Sequence, residues 1–358
     1  MKVIRHPSEY IASNLVQRIR NHAAEAELLK KLHPAQLSLI HEQKWFQLFV
    51  PETCQGLGLS LPDALRLEES LAWTDGSLGW TVTLCAGAGW FVGFLTPEVA
   101  STVFNHPMVC IAGSGKSSGV AEKKNGGYKI TGHWPHATGA AHATAFTANC
   151  TIEENGIPLK KEDGIPDIRS FLFLKNEVTI HHHWNSIGMK ATGSFGFEVI
   201  ELWVPENRVF QINSEEAYLQ SPIYQYPFMS FAELTLAVNS SGMAIRFLDL
   251  CQILSAQTVN PVLQSCLKTS LKQLAECRDQ FYQITENSWE YCLKKEPVST
   301  ELMTRISVSS KKLAITARRV VDELYPYCGM LAADPETEIN RVWRNLHTAS
   351  QHSLFNRN

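Results

Sequence analysis

The residues that best suggest chemistry are concentrated in the segment Trp184–Ser194. Gly188 and Gly193 let the backbone approach a flat or phosphorylated ligand closely. Thr192 and Ser194 flank Gly193 and offer two hydroxyls for hydrogen bonds. The pattern predicts a crossing between two strands beside a bound group. Taken alone, it also fits a tight turn that Ser and Thr hydroxyls close.

A second candidate segment, Gly132–Ala143, contains Trp134, Thr138 and Gly139. Trp134 is suited to contact with a planar group or to the hydrophobic core. Thr138 is suited to hydrogen bonding with a ligand or to capping a turn. Near the end of the chain, His352 can act as an acid or base near neutral pH, or it can be a surface histidine.

The run His181–His183 resembles a metal site only at first sight. Neighbouring strand residues point to opposite faces, so three consecutive histidines do not converge on one ion. The nine cysteines are scattered and form no Cys-x-x-Cys pair. We expect reduced thiols and a cytoplasmic protein, with neither a disulfide framework nor a metal centre.

The 358-residue chain is 44% hydrophobic and 19% charged, with a formal net charge of −3. This composition is typical of globular proteins, and it favours no nucleic-acid partner because such proteins normally present a basic face. The apolar stretch 78–95 is interrupted by glycines, so we expect a buried helix and no membrane span. No apolar segment typical of a signal peptide occurs in residues 1–10.

The hydrophobic period changes twice along the chain. It is helical up to about residue 105, close to two from about 108 to 212, and helical again afterwards. The apolar repeats predict four C-terminal helices, at about 229–257, 261–294, 300–325 and 336–354. Strands are predicted at 108–114, 127–134, 144–151, 169–174, 178–182 and 195–204, with a surface loop over 153–168. The Lys123–Gly127 run predicts a hairpin turn.

This order of motifs resembles the acyl-CoA dehydrogenase superfamily. Four segments carry the resemblance, in the order that the family has: 50–60 (Pro-Glu…Gly-Leu-Gly-Leu-Ser), 68–79 (Glu-Glu-Ser-Leu-Ala…Asp-Gly-Ser-Leu-Gly), 127–143 and 184–194. The resemblance implies an α+β fold with an N-terminal all-α domain (1–106), a small middle β-barrel or sandwich domain (107–213) and a C-terminal four-helix bundle domain (214–358). It also implies a homo-oligomer, a dimer or a tetramer.

The resemblance is closer to the flavin-dependent monooxygenase branch than to the dehydrogenases. The segment 132–143 is similar to that branch's Gly-x-Trp-x-x-Ser-Ser/Thr-Gly…His-Ala pattern, and 341–352 is similar to its Arg-x-x-Arg-Asp…His helix. The dehydrogenase Glu-Gly-Thr signature is absent. Glu233 lies one residue out of register for a dehydrogenase base, and one residue turns a helical side chain by about 100°.

The resemblance implies an oxidoreductase that uses reduced flavin and O2 on a small organic substrate, with a separate flavin reductase as partner. It assigns catalytic roles to His352 and Thr138. Cofactor contacts follow by the same likeness, from Ser114, Trp134, Thr138, Gly139, Thr192, Ser194 and Arg344. Two alternatives stay open, an acyl-CoA dehydrogenase acting on an acyl thioester and a degenerate paralogue that does not catalyse.

Among the points at which the sequence departs from the family, two lie near the end of the chain. Asn345 stands where the family usually has Asp, and Cys328–Leu331 replaces a Gly-Gly-x-Gly loop near the adenine half of FAD. The cofactor is therefore expected to be FAD or FMN.

Overall fold

The computed structural model describes residues 4–257 and 260–356. Residues 1–3 of the predicted first domain, and 258, 259, 357 and 358 of the predicted third, lie outside it. The N-terminal part is helical, as predicted. Its helices are α1 (Ser13–Arg20), α2 (Ala23–Leu29), α3 (Pro34–Glu42), α4 (Leu61–Thr74), α5 (Gly76–Gly89) and α6 (Pro97–Phe104).

Helix α5 runs through the centre of the molecule. Asp75 begins it, because its carboxylate accepts a hydrogen bond from the Leu78 amide at 2.8 Å. The window Gly76–Phe94 is long and apolar enough to cross a membrane by length and composition, but 83% of it is buried inside the structure. The apolar stretch 78–95, which contains several glycines, is therefore part of the buried core.

The middle part forms one sheet of eight strands in the order β6-β7-β2-β1-β3-β5-β8, with β4 paired to β3. All pairings are antiparallel except β1 with β3. The strands are β1 (Ile111–Lys124), β2 (Gly127–Ala137), β3 (Ala145–Glu154), β4 (Ile157–Pro158), β5 (Ile168–Leu174), β6 (Thr179–His181), β7 (Phe195–Pro205) and β8 (Val209–Phe210).

Aromatic contacts show that the sheet curls around its own core. The rings of Phe146 in β3 and Phe197 in β7 lie 4.8 Å apart, although β1 and β2 separate those two strands in the sheet. Neighbouring strands are spaced about 4.8 Å, so a flat sheet would hold these rings about 14 Å apart. The predicted barrel-like domain is therefore confirmed.

The C-terminal part is helical again. Its three long helices pack on one another, and α12 packs on α8. The helices are α7 (Pro222–Gln225), α8 (Phe228–Gln257), α9 (Pro261–Leu293), α10 (Thr300–Leu324), α11 (Gly329–Ala333), α12 (Glu338–Ala349) and α13 (Ser353–Asn356). The α+β class with a C-terminal helical bundle is confirmed, whereas the domain boundaries stay a prediction.

Several sequence-based boundaries were wrong. The last predicted helix, 336–354, is two helices, and His352 lies in the break between α12 and α13. The first strand begins at Ile111 and continues to Lys124, past a bulge between Ser114 and Gly119. The predicted loop 153–168 contains the short strand β4. The hairpin at Lys124–Gly127 is confirmed.

Candidate functional site

The Thr-Gly-Ser corner is the crossing between β6 and β7 that the sequence predicts. A 3-10 turn, Lys190–Thr192, is bounded by Met189 and Gly193, which adopt left-handed φ angles of 53° and 55°. Thr192 and Ser194 are buried. The end of β2 brings Thr138 to them, and its Oγ1 lies 2.9 Å from the Ser194 Oγ.

The three hydroxyls form a directed chain. Thr192 donates its only hydroxyl proton to the Met189 carbonyl at 2.8 Å. Ser194, 2.7 Å from Thr192, must therefore be the donor to it. Thr138 in turn must donate to Ser194. The Thr138 oxygen keeps open lone pairs, so this end of the chain is an acceptor. In the hydrogen bond with a ligand that the sequence suggests, Thr138 would therefore be the acceptor.

Gly139 packs closely against α5. Its φ is +80°, and an added Cβ would lie 2.4 Å from the Sγ of Cys85. Its amide donates to the Thr192 carbonyl at 3.0 Å. Glycine is required here by both conformation and space. The Thr138–Gly139 loop is thus fixed between α5 and the corner.

His142 belongs to the same loop, and sequence analysis did not select it. Its Nε2 is buried and has no hydrogen-bond partner among the described residues. Burial, helped by the charges of Lys31 and Lys175, lowers the pKa of His142 to about 4. The ring is therefore neutral at pH 7 and has an unsatisfied nitrogen. A buried nitrogen of this kind is suited to a hydrogen bond with a polar group of a ligand. The signal in the sequence was the His-Ala that ends the segment 132–143, where the resemblance to the monooxygenase branch has a histidine.

The predicted catalytic histidine, His352, packs on the same central helix. Its ring meets the ring of Trp80 edge-on at 5.8 Å. Trp80 precedes Thr81, whose Cγ2 would lie 3.7 Å from a Cβ at Gly139. The structure therefore places His352 and the Thr138–Gly139 loop along one stretch of α5.

Trp134 and Ser114 do not join the hydroxyl chain. The Trp134 side chain is fully buried in the sheet core, and its Nε1 donates to the Asn149 carbonyl at 3.1 Å. Only its backbone is left for a cofactor, which corrects the stacking alternative. Ser114 lies on β1, four residues after Cys110, whose Sγ is near Gly139. Its cofactor contact stays a prediction.

Arg344 has no hydrogen-bond donor left for a cofactor. Its five N–H groups reach Asn340, both carboxylate oxygens of Glu27, and the carbonyls of Ile187 and Pro335, at 2.7 to 3.4 Å. The predicted cofactor contact is therefore corrected to a structural role. The arginine joins α12 to α2 and to the crossing.

One cluster outside this site has metal-binding residue types. The ligand atoms of His22, Glu25 and His33 lie within 4.8 Å of one another. The two imidazole rings, however, stack with centroids 4.1 Å apart and planes 3° from parallel, so their in-plane lone pairs cannot converge on one ion. The Nδ1 of His33 also accepts the Ala35 amide at the start of α3. We assign no metal to this cluster.

The chain is similar to known flavin enzymes. Residues 255–357 match the family model of the acyl-CoA dehydrogenase C-terminal domain. Indole-3-acetate monooxygenase of Pseudomonas putida is 24% identical over 87% of this chain and 80% of its own length. The oxygenase subunit HsaA of a flavin-dependent monooxygenase from Rhodococcus jostii is 22% identical, over 95% of this chain and 92% of its own.

The fold is shared with a solved structure, XiaF from Streptomyces in complex with FADH2 and glycerol. Its TM-score is 0.84 at 20% identity, covering 96% of this chain and 91% of that one. The predicted resemblance to the acyl-CoA dehydrogenase superfamily, closer to its monooxygenase branch, is confirmed.

Proposed function

We propose that this flavin-dependent oxidoreductase is the oxygenase component of a two-component monooxygenase. It would take reduced FAD from a separate reductase and hydroxylate a small aromatic substrate. The observation that carries the proposal is the directed row of hydroxyls formed by Thr138, Ser194 and Thr192. It occurs in a protein that is similar to flavin-dependent monooxygenases along most of its length. FAD is chosen over FMN because the structural relative XiaF holds FADH2.

The residues of the corner fit a flavin by their chemistry. Thr138 presents an acceptor that can receive an N–H of the reduced ring, and His142 adds a neutral nitrogen without a partner. Gly139 and Gly193 let the corner pack closely on Cys85 and Ala141, which holds the Thr138 hydroxyl in place. Bound reduced flavin supplies the electrons that activate O2.

His352 is the candidate acid or base of the reaction. Its Nδ1 accepts the Leu354 amide at 3.3 Å, so a proton would be held or moved at its Nε2. Trp80 supports its ring from the side of α5. Helix α5 and the sheet bury the corner from bulk water, which protects reduced flavin from unproductive side reactions.

The dehydrogenase alternative has weaker support. Its only candidate base, Glu233, is buried and accepts a hydrogen bond from Ser307 of α10 at 2.9 Å. A carboxylate held by the bundle is poorly placed to take a proton from a substrate beside the sheet.

Cytoplasmic location and a homo-oligomer, a dimer or a tetramer, are part of the proposal. The reductase partner and the nine free thiols support a reducing compartment. Exposed apolar side chains on the C-terminal helices, such as Val308, Ile315 and Met330, support association of copies.

The test is anaerobic loading of the protein with reduced FAD or FMN, followed by mixing with oxygen and indole-3-acetate. We expect binding of reduced FAD, a transient absorbance between the reduced and oxidised spectra, and a product that carries one oxygen atom from labelled O2. Bleaching of oxidised flavin by an acyl-CoA panel would instead establish a dehydrogenase. Failure to retain either flavin would favour a degenerate paralogue.

A further inference from the structure

We propose that Asn345 is a positioning residue that fixes both the place and the direction of the hydroxyl chain. The inference rests on the proposed function, because it assigns a role toward the flavin corner. Asn345 lies on α12, is 1% exposed, and bonds to the corner at the Gly188–Met189 peptide.

The N–H of that peptide belongs to Met189. Its amide donates to the Asn345 Oδ1 at 2.6 Å, which is the shortest hydrogen bond between the crossing and α12. Met189 holds a left-handed φ of 53°, a conformation that is uncommon for a residue with a side chain. Without the acceptor, the buried amide would be unsatisfied and this conformation would lose a hydrogen bond that supports it.

The same residue supplies the carbonyl that starts the hydroxyl chain. The Met189 oxygen accepts the proton of Thr192 at 2.8 Å and the indole N–H of Trp184 at 2.8 Å. Rotation at Met189 would move this oxygen away from Thr192 and free the Thr192 proton to turn toward Ser194. The chain could then reverse, and Thr138 would change from acceptor to donor. Asn345 therefore acts on Thr138 through four linked groups, which are the Met189 amide, the Met189 carbonyl and the hydroxyls of Thr192 and Ser194.

The anchor on the other side is rigid. Arg344 precedes Asn345, and its bidentate pair with Glu27 is 9% and 11% exposed. A second N–H of Arg344 holds the Ile187 carbonyl at 2.8 Å, and Thr348 accepts the Gly188 amide at 3.0 Å. Helix α12 is therefore fixed against α2 while it holds the crossing, so Asn345 has a defined position from which to act.

Two substitutions separate the hydrogen bond from the packing. Asn345→Asp keeps an oxygen at the position that accepts the Met189 amide. Asn345→Leu keeps a branched side chain of similar length but removes the acceptor. A purely packing role predicts that Leu is tolerated at least as well as Asp, because burying an additional charge is costly. A positioning role predicts the reverse order.

The first measurement is amide hydrogen exchange of the segment 187–196 without cofactor. We expect Asn345→Leu to speed exchange at Met189 and its neighbours about tenfold or more, and Asn345→Asp to stay within about threefold of wild type. Unchanged protection of helix α9 is the control for global folding. Should the Leu variant not fold, Asn345→Ser, whose hydroxyl is too short to reach the amide, takes its place.

The second measurement is the affinity for reduced FAD under anaerobic conditions. We expect a loss of about tenfold or more for Asn345→Leu and near wild-type binding for Asn345→Asp. Equal exchange or equal affinity of the Leu variant and wild type would overturn the inference. If the wild type binds no flavin, the proposed function fails, and the exchange experiment alone decides whether Asn345 orders the corner.

Discussion

Replacing Gly188 by Ala tests how tightly the crossing is held against α12. A Cβ on Gly188 would lie 2.0 Å from the Arg344 carbonyl oxygen, 2.2 Å from its carbon and 2.6 Å from the Asn345 nitrogen. Backbone cannot rotate away as a side chain can, and real Cβ contacts are not shorter than 3.0 Å. The crossing must therefore move away from α12 by about 1 Å.

A shift of that size breaks the contacts that hold the crossing. The Gly188 and Met189 amides would leave Thr348 and Asn345, and Arg344 would lose the Ile187 carbonyl. Three hydrogen bonds at about 1 kcal/mol each, with about 1 kcal/mol or more for the overpacking, give a loss of about 4 kcal/mol in the free energy of unfolding.

The assay is urea unfolding followed by tryptophan fluorescence, alongside binding of reduced FAD. Gly115→Ala is the matched control, because an added Cβ there meets nothing within 4 Å and the φ angle is not left-handed. We expect the control to stay within about 0.5 kcal/mol of wild type. A Gly188→Ala protein as stable as this control would show that the crossing is not packed on α12 as described.

Three further predictions concern buried charged and titratable groups. Burial raises the pKa of Glu68 well above its ordinary value, so the wild type loses stability as the pH rises and this side chain must ionise. In urea titrations, the unfolding free energy of Glu68→Gln should therefore exceed that of wild type by a margin that grows from pH 5 to pH 8. Parallel pH curves of the two proteins would contradict this. Burial lowers the pKa of His142 to about 4, so wild type should lose stability as pH falls from 6.5 toward 4, by up to about 3 kcal/mol, and His142→Gln should remove that component. Arg344→Lys cannot keep the two-point pairing with Glu27 or all five bonds, and should lower the unfolding free energy by about 3 kcal/mol; Arg18→Lys, at an exposed pair, should change it by less than about 1 kcal/mol.

Sequence patterns predicted the parts of the site that are local in the chain. The Thr192–Ser194 corner is specified within one turn, since glycine and hydroxyl residues determine its conformation at short range. Thr138 was selected through the family resemblance of the segment 132–143, and it lies directly after the end of β2. The hydrophobic period was sufficient to place the long helices within one or two residues of their observed ends.

The parts that failed depend on residues distant in sequence. Arg344 was predicted to contact cofactor, but its partner Glu27 is 317 residues away and belongs to another helix. No local signal reports that all of its donors are used. Trp134 was ambiguous for a related reason, because Phe197 faces its ring from the paired strand β7 and the curling of the sheet brings Phe173 of β5 against it. The break before His352 contains neither glycine nor proline that would mark it.

The corner is the point at which the three parts of the chain meet. Cys85 of the N-terminal helices meets the loop after β2, and Asn345 of the C-terminal helices holds the crossing before β7. The polar groups that join them are buried, and each is satisfied only while all three parts are in place. Misalignment of any part would leave a buried donor or acceptor unsatisfied and would alter the direction of the hydroxyl chain. The acceptor at Thr138 is therefore a property of the assembled fold, which is why Thr138 and Ser194 in isolation would not distinguish a cofactor corner from an ordinary turn.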